Sequence, residues 1–457
     1  MHFHKMSLIV SVLAVLLTIQ GMAPKAIAQD YDITSRAEAL KATTERLRGL
    51  EFINDLPVEL VTSEEIAEII QGLLDEELDE DKDRMYTEMY AMLGLMDPEA
   101  SMRDAYQQMI EEQVAGLYDQ YEKKFYVVDV DMSEMLGSML GGSDSPLSSF
   151  LSGFLQGMNP DFDSMMTDTI IIHEMTHALD DQHFDLEGTL EEFTEGDSDD
   201  AMLAFQSLVE GTATYTMNAH MYQGIGMDSS AMSGMVDLNM SLSESMMDYD
   251  PFLERMLLSP YLRGEVFVNN LISRDGLEGI DAAYLDPPQS MEQILHPERY
   301  FAPRDEPSQT ADPDLSSVLT GWEHEATNTL GELLIELMFE LNSENKAQAT
   351  IIADGWDYDV VTTWRAPDDN LAIAMVSVWD SETEAREFFD AYFGLLEAKH
   401  PSGTWEAQQP DYGLYTGAGL AAALRHEGRV VVVVEGVPEA MVDTCLDTAW
   451  PLNVTYR

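Results

Sequence analysis

Residues 169–186 read TIIIHEMTHALDDQHFDL and place three histidines and a glutamate in a short stretch that begins with apolar residues. In a helix, residues four apart lie on one face, so His173 and His177 can direct their imidazoles at one ion. Glu174 would emerge beside that ion, where a carboxylate can polarise a bound water. The stretch therefore predicts a helix that carries two of the three protein ligands of a metal site.

The same stretch contains the residues that would dock this helix into a core. Ile170, Ile171, Met175 and Leu179 are expected to form the face opposite the histidines. We therefore expect one side of the helix to serve packing and the other to serve chemistry.

The pentapeptide His173-Glu174-Met175-Thr176-His177 is an HExxH motif and resembles the zincin metallopeptidases. The resemblance implies a Zn²⁺ cofactor held by the two histidines and a third ligand. It also implies that Glu174 acts as the general base in the hydrolysis of a peptide bond.

Two residues are candidates for the third ligand. His183 follows His177 by six residues, the separation used by metzincins, but Asp180 stands where their motif needs a glycine to turn the chain. The gluzincin branch takes a glutamate from a following helix, and LVEGTATY places Glu210 on one. The resemblance therefore favours Glu210, with His183 as the alternative.

The residues that would orient the metal ligands are less clear from the sequence. In the best-known gluzincins an acidic residue one turn after the glutamate orients a ligand histidine, and Thr214 stands at that place here. Asp180 and Asp181 are candidates to accept a histidine N–H and fix its tautomer. Each is equally compatible with a surface charge at the helix end.

The gluzincin resemblance also implies how a substrate would be held. A strand near the catalytic helix would bind the peptide backbone, and KKFYVVDV (residues 123–130) is placed in the sequence to do so. Tyr261 in SPYLRGEVF is the candidate that would steady the oxyanion, with Arg263 as a rival. A tyrosine that only packs is the alternative for Tyr261.

The resemblance extends along much of residues 105–305. The ordered stretches AGLYD, KKFYVVDV, HEMTHALDDQHFDL, LVEGTATY, SPYLRGEVFV and PPQSMEQILHPERY are similar to those of a group of uncharacterised exported proteins from halophilic archaea and bacteria. GWDYD and VWDS extend the similarity more loosely to the C-terminal region. His296, in the last of the ordered stretches, is predicted to cap a helix end rather than to bind a metal.

The 457-residue chain is strongly acidic, with 85 acidic against 23 basic residues and a net charge of −62. This charge argues against nucleic acids and anionic membrane surfaces as partners. Such self-repulsion is tolerated where salt screens it, since the Debye length falls to about 3 Å at 1 M. We therefore expect a saline habitat, with a generally acidic secreted protein and a calcium-binding protein as alternatives.

The N-terminal residues predict export. A start ending in Lys5, an apolar run from Leu8 to Ile19 and the small-x-small sequence Ala26-Ile27-Ala28 are typical of a signal peptide. We expect a secreted, periplasmic or cell-surface protein with no stable membrane span after cleavage. An uncleaved membrane anchor is the alternative, but the apolar run falls short of the ~18–20 residues that span a bilayer. The single cysteine, Cys445, excludes an internal disulfide and is predicted to be a small buried apolar residue.

Hydrophobic spacing predicts an α+β protein. We predict a signal peptide (1–28), a mainly helical zincin-like domain with a small sheet (29–296), a linker (297–321) and a smaller α+β domain (322–457). Residues 131–166 are rich in Met, Gly and Ser and are predicted to form a flexible insert. The last domain is expected to open with a helix over 323–342 and to have an accessory role.

These patterns predict an exported zinc-dependent peptidase that acts on a peptide or protein substrate. The alternative is a zincin-folded surface or binding protein whose metal is structural and which hydrolyses nothing. Ligation by both His183 and Glu210 would favour the alternative, because a catalytic zinc keeps an open position for water.

Overall fold

The computed structural model describes residues 33–113, 116–128, 162–195, 198–224, 250–343, 345–417, 420–451 and 453–457. The predicted signal peptide and residues 131–161 of the predicted insert lie outside these ranges. Residues 162–166 form the start of a helix. The protein has an α+β fold, as predicted, and its chain divides into two compact units.

The first unit comprises residues up to Asp79, 103–195 and 205–287. Its helices are α1 (Ile33–Arg48), α2 (Ser63–Glu77), α4 (Met102–Gln113), α5 (Phe162–Phe184), α6 (Leu186–Glu195), most of α7 (Asp199–Gly224), α8 (Pro251–Asp275) and α9 (Glu278–Leu285). Its strands are β1 (Val58–Val61), β2 (Gly116–Asp119) and β3 (Lys124–Val128). A capping box between Thr62 and Glu65 begins α2.

The three strands form one small sheet in the order β1-β3-β2. Strand β3 runs parallel to β1 and antiparallel to β2. Both edges of β3 are therefore paired, and β2 is an edge strand of the sheet within the described residues.

The helix with the HExxH motif, α5, lies at the centre of the first core. Its residues Ile171, Ile172 and Met175 pack with Phe125 of β3 and Leu40 of α1. The helix is buried all round from residue 168 to residue 181, so its histidine face is as enclosed as its apolar face. The apolar residues of α5 therefore pack into the core while its histidine face is buried as well.

Helices α7 and α8 cross at two glycines. A Cβ atom on Gly211 of α7 would come within 2.2 Å of the Gly264 carbonyl carbon, and one on Gly264 would come within 2.0 Å of the Ser207 carbonyl oxygen. The two backbones are therefore in direct contact, and a side chain at either glycine would force them apart. Glu210 precedes one glycine and Tyr261 lies three residues before the other, so this crossing fixes their separation.

The second unit comprises residues 80–102, 196–204 and 288–457. Its helices are α3 (Glu80–Met92), the start of α7, α10 (Met291–Leu295), α11 (Pro297–Tyr300), α12 (Gly331–Asn342), α13 (Lys346–Ala353), α14 (Glu382–Lys399) and α15 (Val442–Ala449). Its strands are β4 (Gln309–Thr310), β5 (Glu323–Asn328), β6 (Trp356–Arg365), β7 (Leu371–Trp379), β8 (Thr404–Gln409), β9 (Tyr412–Gly417), β10 (Leu420–Glu427), β11 (Val430–Pro438) and β12 (Val454–Thr455).

A seven-stranded antiparallel sheet organises this unit. Its order is β5-β6-β7-β11-β10-β9-β8, and β4 pairs separately with β12. Helix α15 covers one face, where the buried Cys445 packs among apolar residues as predicted.

Two assignments in this region differ from the sequence expectation. Residues 297–321 do not form a separate linker, because they belong to the second unit and contribute the fully buried Leu315 and Leu319 to its core. The predicted helix over 323–342 is a strand up to Asn328 and a helix from Gly331. Gly331 has a φ of 77°, a left-handed backbone conformation that stops helical periodicity from extending back into the strand.

Within the described ranges, every helix is too short or too polar to span a lipid bilayer.

Substitution of Gly264 by alanine should lower the free energy of unfolding by about 3 kcal/mol, because the new methyl group overlaps the α7 backbone. Chemical denaturation of the purified variant measures this change. The control is Gly72→Ala in α2, where a Cβ atom meets nothing within 4 Å. This control should raise the free energy of unfolding by about 1 kcal/mol through helix propensity. Equal effects of the two substitutions would contradict the close crossing.

Candidate metal centre

Two histidines of α5 and a glutamate of α7 converge in the first unit. His173 Nε2 lies 3.0 Å from His177 Nε2 and 3.2 Å from Glu210 Oε2, and His177 Nε2 lies 3.4 Å from that oxygen. Ligand atoms on a tetrahedral ion with bonds of about 2.0–2.1 Å lie about 3.3–3.4 Å apart. The three side chains therefore form a cluster that can hold a metal ion.

The local fold explains why these atoms meet. His173 and His177 are separated by one helical turn, and their rings are 4.7 Å apart and nearly perpendicular. Glu210 reaches them from α7, immediately before the glycine that crosses α8. All three side chains are buried, with His173 fully enclosed and Glu210 only 3% exposed.

The predicted alternative ligand, His183, lies away from this cluster. It is exposed, and its Nε2 contacts the Glu51 carbonyl oxygen at 2.9 Å. Its ring lies beside that of Phe184. Among the described residues, the cluster that could hold a metal ion therefore contains Glu210 rather than His183, and three side chains rather than four.

Glu174 is held against the edge strand of the small sheet. Its Oε2 accepts a hydrogen bond from the Tyr118 backbone N–H at 2.8 Å. Its Oε1 is buried and has no hydrogen-bond partner in the part of the chain that the structure describes. One carboxylate oxygen is therefore fixed in position while the other remains able to accept a proton.

Tyr261 of α8 joins the site. Its ring stacks on that of His173 with centroids 6.1 Å apart, and its hydroxyl hydrogen-bonds to Glu210. Burial, together with the charges of Glu210 and Glu174, raises the pKa of Tyr261 well above its ordinary value, so the hydroxyl stays a donor. The rival Arg263 takes part in none of the described contacts of the cluster.

Asp180 does not orient a ligand histidine through a described hydrogen bond. Its oxygens instead accept from Arg48 Nε at 2.7 Å and from the Tyr284 hydroxyl at 3.0 Å. Both Arg48 and Asp180 are almost completely buried, so this ion pair ties α1 to α5, and the Tyr284 hydroxyl ties α9 to the same carboxylate. Asp180 is therefore neither the hydrogen-bond partner of a histidine nor a surface charge.

Asp181 likewise has other partners. It accepts from the Tyr118 hydroxyl at 2.7 Å, from Lys123 and from the Leu186 backbone N–H. It is buried and links the end of β2 to the end of α5. Its contacts position the sheet edge against the helix rather than the histidine tautomer.

The histidine nitrogen that faces away from the cluster lacks a described hydrogen bond. His173 Nδ1 is buried without a partner among the described residues, and so is the hydroxyl of Thr214, which stands where the gluzincin resemblance leads us to expect an acidic residue. Metal-bound histidines usually donate their second N–H to a fixed acceptor. The site therefore departs from the gluzincin pattern at the position where the sequence departs from it.

A small cavity adjoins the ligands. It has a volume of about 30 Å³ and is lined by Tyr118, Gln120, His177 and Glu210, together with apolar side chains and Gln206. This volume admits one or two water molecules. Gln120 Nε2 is buried there without a partner, so a donor is available to a bound water or carbonyl oxygen.

The strand beside the site is β2 rather than the predicted β3. Strand β3 is flanked by β1 and β2, so its backbone cannot accept an additional strand. Strand β2 ends the described sheet and contacts Glu174 through Tyr118. Spacing alone missed this strand because GLYD is only four residues long and lacks a β-branched run.

The ionisable side chains of the cluster shift one another's pKa values. Burial acts to lower the pKa of His177, but the charge and hydrogen bond of Glu210 outweigh it and raise that pKa to about 9. Burial acts to raise the pKa of Glu210, and the two histidines overcome it and lower that pKa. Burial raises the pKa of Glu174 despite the neighbouring histidines. In the absence of a metal ion, His177 and Glu210 therefore form an ion pair.

Comparison with known protein families places a match in the C-terminal part of the chain. A family model described as a domain of unknown function (DUF8575) matches residues 317–446. No curated protein and no solved structure matches the chain. The matched region lies in the second unit and contains none of the residues of the metal cluster.

Substitution of Arg48 by alanine should lower the free energy of unfolding by about 3–5 kcal/mol, because Asp180 would be left buried without its cation. Denaturant titration of the variant measures the loss. Arg46→Ala, two residues earlier on the exposed side of α1, is the matched control and should change the free energy of unfolding by about 0.5 kcal/mol or less. A loss at Arg48 no larger than that at Arg46 would contradict the structural role of the pair.

Proposed function

We propose that this protein is an exported zinc-dependent peptidase that hydrolyses peptide bonds in peptide or protein substrates. The observation that carries the proposal is the convergence of His173, His177 and Glu210 beside a carboxylate with one unbonded oxygen. The separations of 3.0–3.4 Å between the three ligand atoms suit a tetrahedral ion of the size of zinc. Neutral imidazoles and one carboxylate are also ligands that zinc accepts.

A zinc ion at this place would act as a Lewis acid that polarises a carbonyl group and lowers the pKa of a bound water to about 7. Glu174 is the proton acceptor in this proposal, because its Oε1 is buried, unbonded and next to the first ligand. Glu174 would then return the proton to the nitrogen of the leaving amine. The Tyr118 N–H holds the other oxygen and so fixes the direction in which Glu174 accepts the proton.

Two further groups would contact a substrate. The Tyr261 hydroxyl remains protonated and lies beside Glu210, where it can donate to negative charge that develops on a substrate oxygen. Strand β2 is the edge strand of the described sheet and all four of its residues are buried, so an extended peptide would have to displace what covers the strand before adding beside it. A carboxylate, a hydroxyl donor and a sheet edge beside one ion site together support the proposal.

A second candidate function is a noncatalytic protein with a structural metal. The burial of the cluster favours it, since His173 is fully enclosed and the adjoining cavity of about 30 Å³ is too small for a peptide. The number of protein ligands favours the peptidase, because a closed structural zinc site has four ligands and the described cluster has three. Metal content and hydrolysis measured on the same variants separate the two.

Glu174→Gln should retain bound zinc and lose hydrolysis of a peptide library by about 10²–10⁴-fold, because the glutamine cannot accept the proton. His177→Ala should lose both the metal and the activity. His183→Ala removes a histidine six residues away and should change neither. Metal analysis combined with mass spectrometry of the digested library provides both readouts.

Metal content and hydrolysis together distinguish the peptidase from the protein with a structural metal. Full activity of Glu174→Gln contradicts the role of this residue as base. Zinc binding by the unsubstituted protein without any hydrolysis favours the structural metal.

The affinity for zinc should rise by about tenfold per pH unit between pH 6 and pH 8. His177 must lose its proton to bind a metal, and in the ion-free protein its pKa is raised to about 9, so protons compete with zinc over this whole range. Competition titrations with a chromophoric chelator at several pH values measure the slope. His183→Ala should give the same slope, and an affinity that is independent of pH would contradict metal binding at His177.

A further inference from the structure

A second group of metal-binding side chains lies in the second unit. His296 follows the end of α10, Glu332 lies in the first turn of α12, and Asp354 follows the end of α13. His296 Nε2 is 2.9 Å from Glu332 Oε1, and one ligand atom from each of the three residues lies within 4.8 Å of the others. Small side-chain movements would bring all three onto one ion.

Glu332 is the most informative member of the group. Its side chain is only 3% exposed, and its buried Oε2 has no hydrogen-bond partner among the described residues. Its Oε1 contacts His296, another member of the same group, at 2.9 Å. A buried carboxylate oxygen without a donor is unfavourable, and a cation would satisfy it.

The surroundings contain more negative than positive charge. Buried Glu292, Asp200 and Asp359 lie in the same unit, and Asp305 and Asp380 complete a second acidic group around Glu292. Arg299 pairs with Glu292, with Asp354 at 3.2 Å and with Asp380 at 3.8 Å. Arg304 is occupied by Glu306 and Gln293. One shared guanidinium, that of Arg299, therefore faces several carboxylates. Burial raises the pKa of Glu332, and it raises the pKa of Glu292 to about 9.

We propose that His296, Glu332 and Asp354 bind a second divalent cation, separate from the ion at the HExxH motif. An imidazole combined with two carboxylates suits a transition-type ion such as Zn²⁺ or Mn²⁺ better than Ca²⁺, which prefers oxygen ligands alone. Arg299 bonds one oxygen of Asp354, and the carboxylate has a second oxygen for the ion. The ion connects the ends of α10 and α13 to the start of α12, so its role is to stabilise the second unit.

This inference changes the role predicted for His296. The sequence predicts a residue that stops a helix, and His296 does follow α10. It is preceded by Leu295 and followed by Pro297, so no ligand spacing of the HExxH kind marks it. Only the fold brings it to Glu332 and Asp354.

The experiment uses the full chain, with a His173→Ala/His177→Ala background to remove the first site. In this background one equivalent of zinc should remain bound after dialysis, and it should raise the thermal midpoint relative to protein treated with a chelator. Adding His296→Gln or Asp354→Asn should weaken zinc binding by at least about 100-fold. The loss of a residue that only hydrogen-bonds to a metal ligand typically weakens binding by about 10–100-fold. Asp354 is exposed, so its substitution removes a ligand without opening a cavity.

His324→Gln is the matched control, because His324 is an exposed histidine of the same unit outside the group. It should retain the zinc and the thermal shift. Loss of all zinc in the His173→Ala/His177→Ala background would overturn the second site. Retention of zinc by both His296→Gln and Asp354→Asn would also overturn it. Neither result depends on peptidase activity.

Discussion

Two imidazole nitrogens and a carboxylate oxygen lie within 3.4 Å of one another in an almost dry interior, and this convergence governs the rest of the first unit. Such a group is stable only when it contains positive charge, either a proton or a metal ion. Keeping the two histidines and the glutamate together requires that α5 and α7 stay at a fixed distance from each other. The glycine crossing of α7 with α8 fixes the position of α7, and the Arg48–Asp180 ion pair fixes α5 against α1.

The protein has few basic side chains, so the position of each buried one is informative. The chain has 23 basic against 85 acidic residues, yet Arg48 is completely buried and pairs with the buried Asp180 of α5. Arg299 is likewise shared among carboxylates of the second unit. Around Arg299 the second unit gathers more carboxylates than this guanidinium neutralises, so protons or metal ions complete the charge balance there. Binding of ions and folding are then thermodynamically linked.

The sequence predicts the parts of the site that depend on local spacing. The helix with His173 and His177 follows from their separation, and Glu210 follows from resemblance to one family branch. Contacts between distant segments are not encoded in this way. Gly211 and Gly264 in the middle of long helices hint at a close crossing, but nothing marks them as partners. The roles of Arg48, Tyr118 and Gln120 likewise depend on packing, and the strand at Glu323 was hidden by the helical pattern that follows it.

The hydrogen bond between the Tyr118 amide and Glu174 links the pairing of a strand at the edge of the sheet to the position of the Glu174 carboxylate. This amide donates to Glu174, so an extended chain that paired with β2 through Tyr118 would compete with the carboxylate for a single donor. If Glu174 is the base, as proposed, that pairing would free Oε2 from its fixed position, while Oε1 is available to a proton before and after pairing. Occupation of the sheet edge would therefore change the orientation of the carboxylate rather than switch it on.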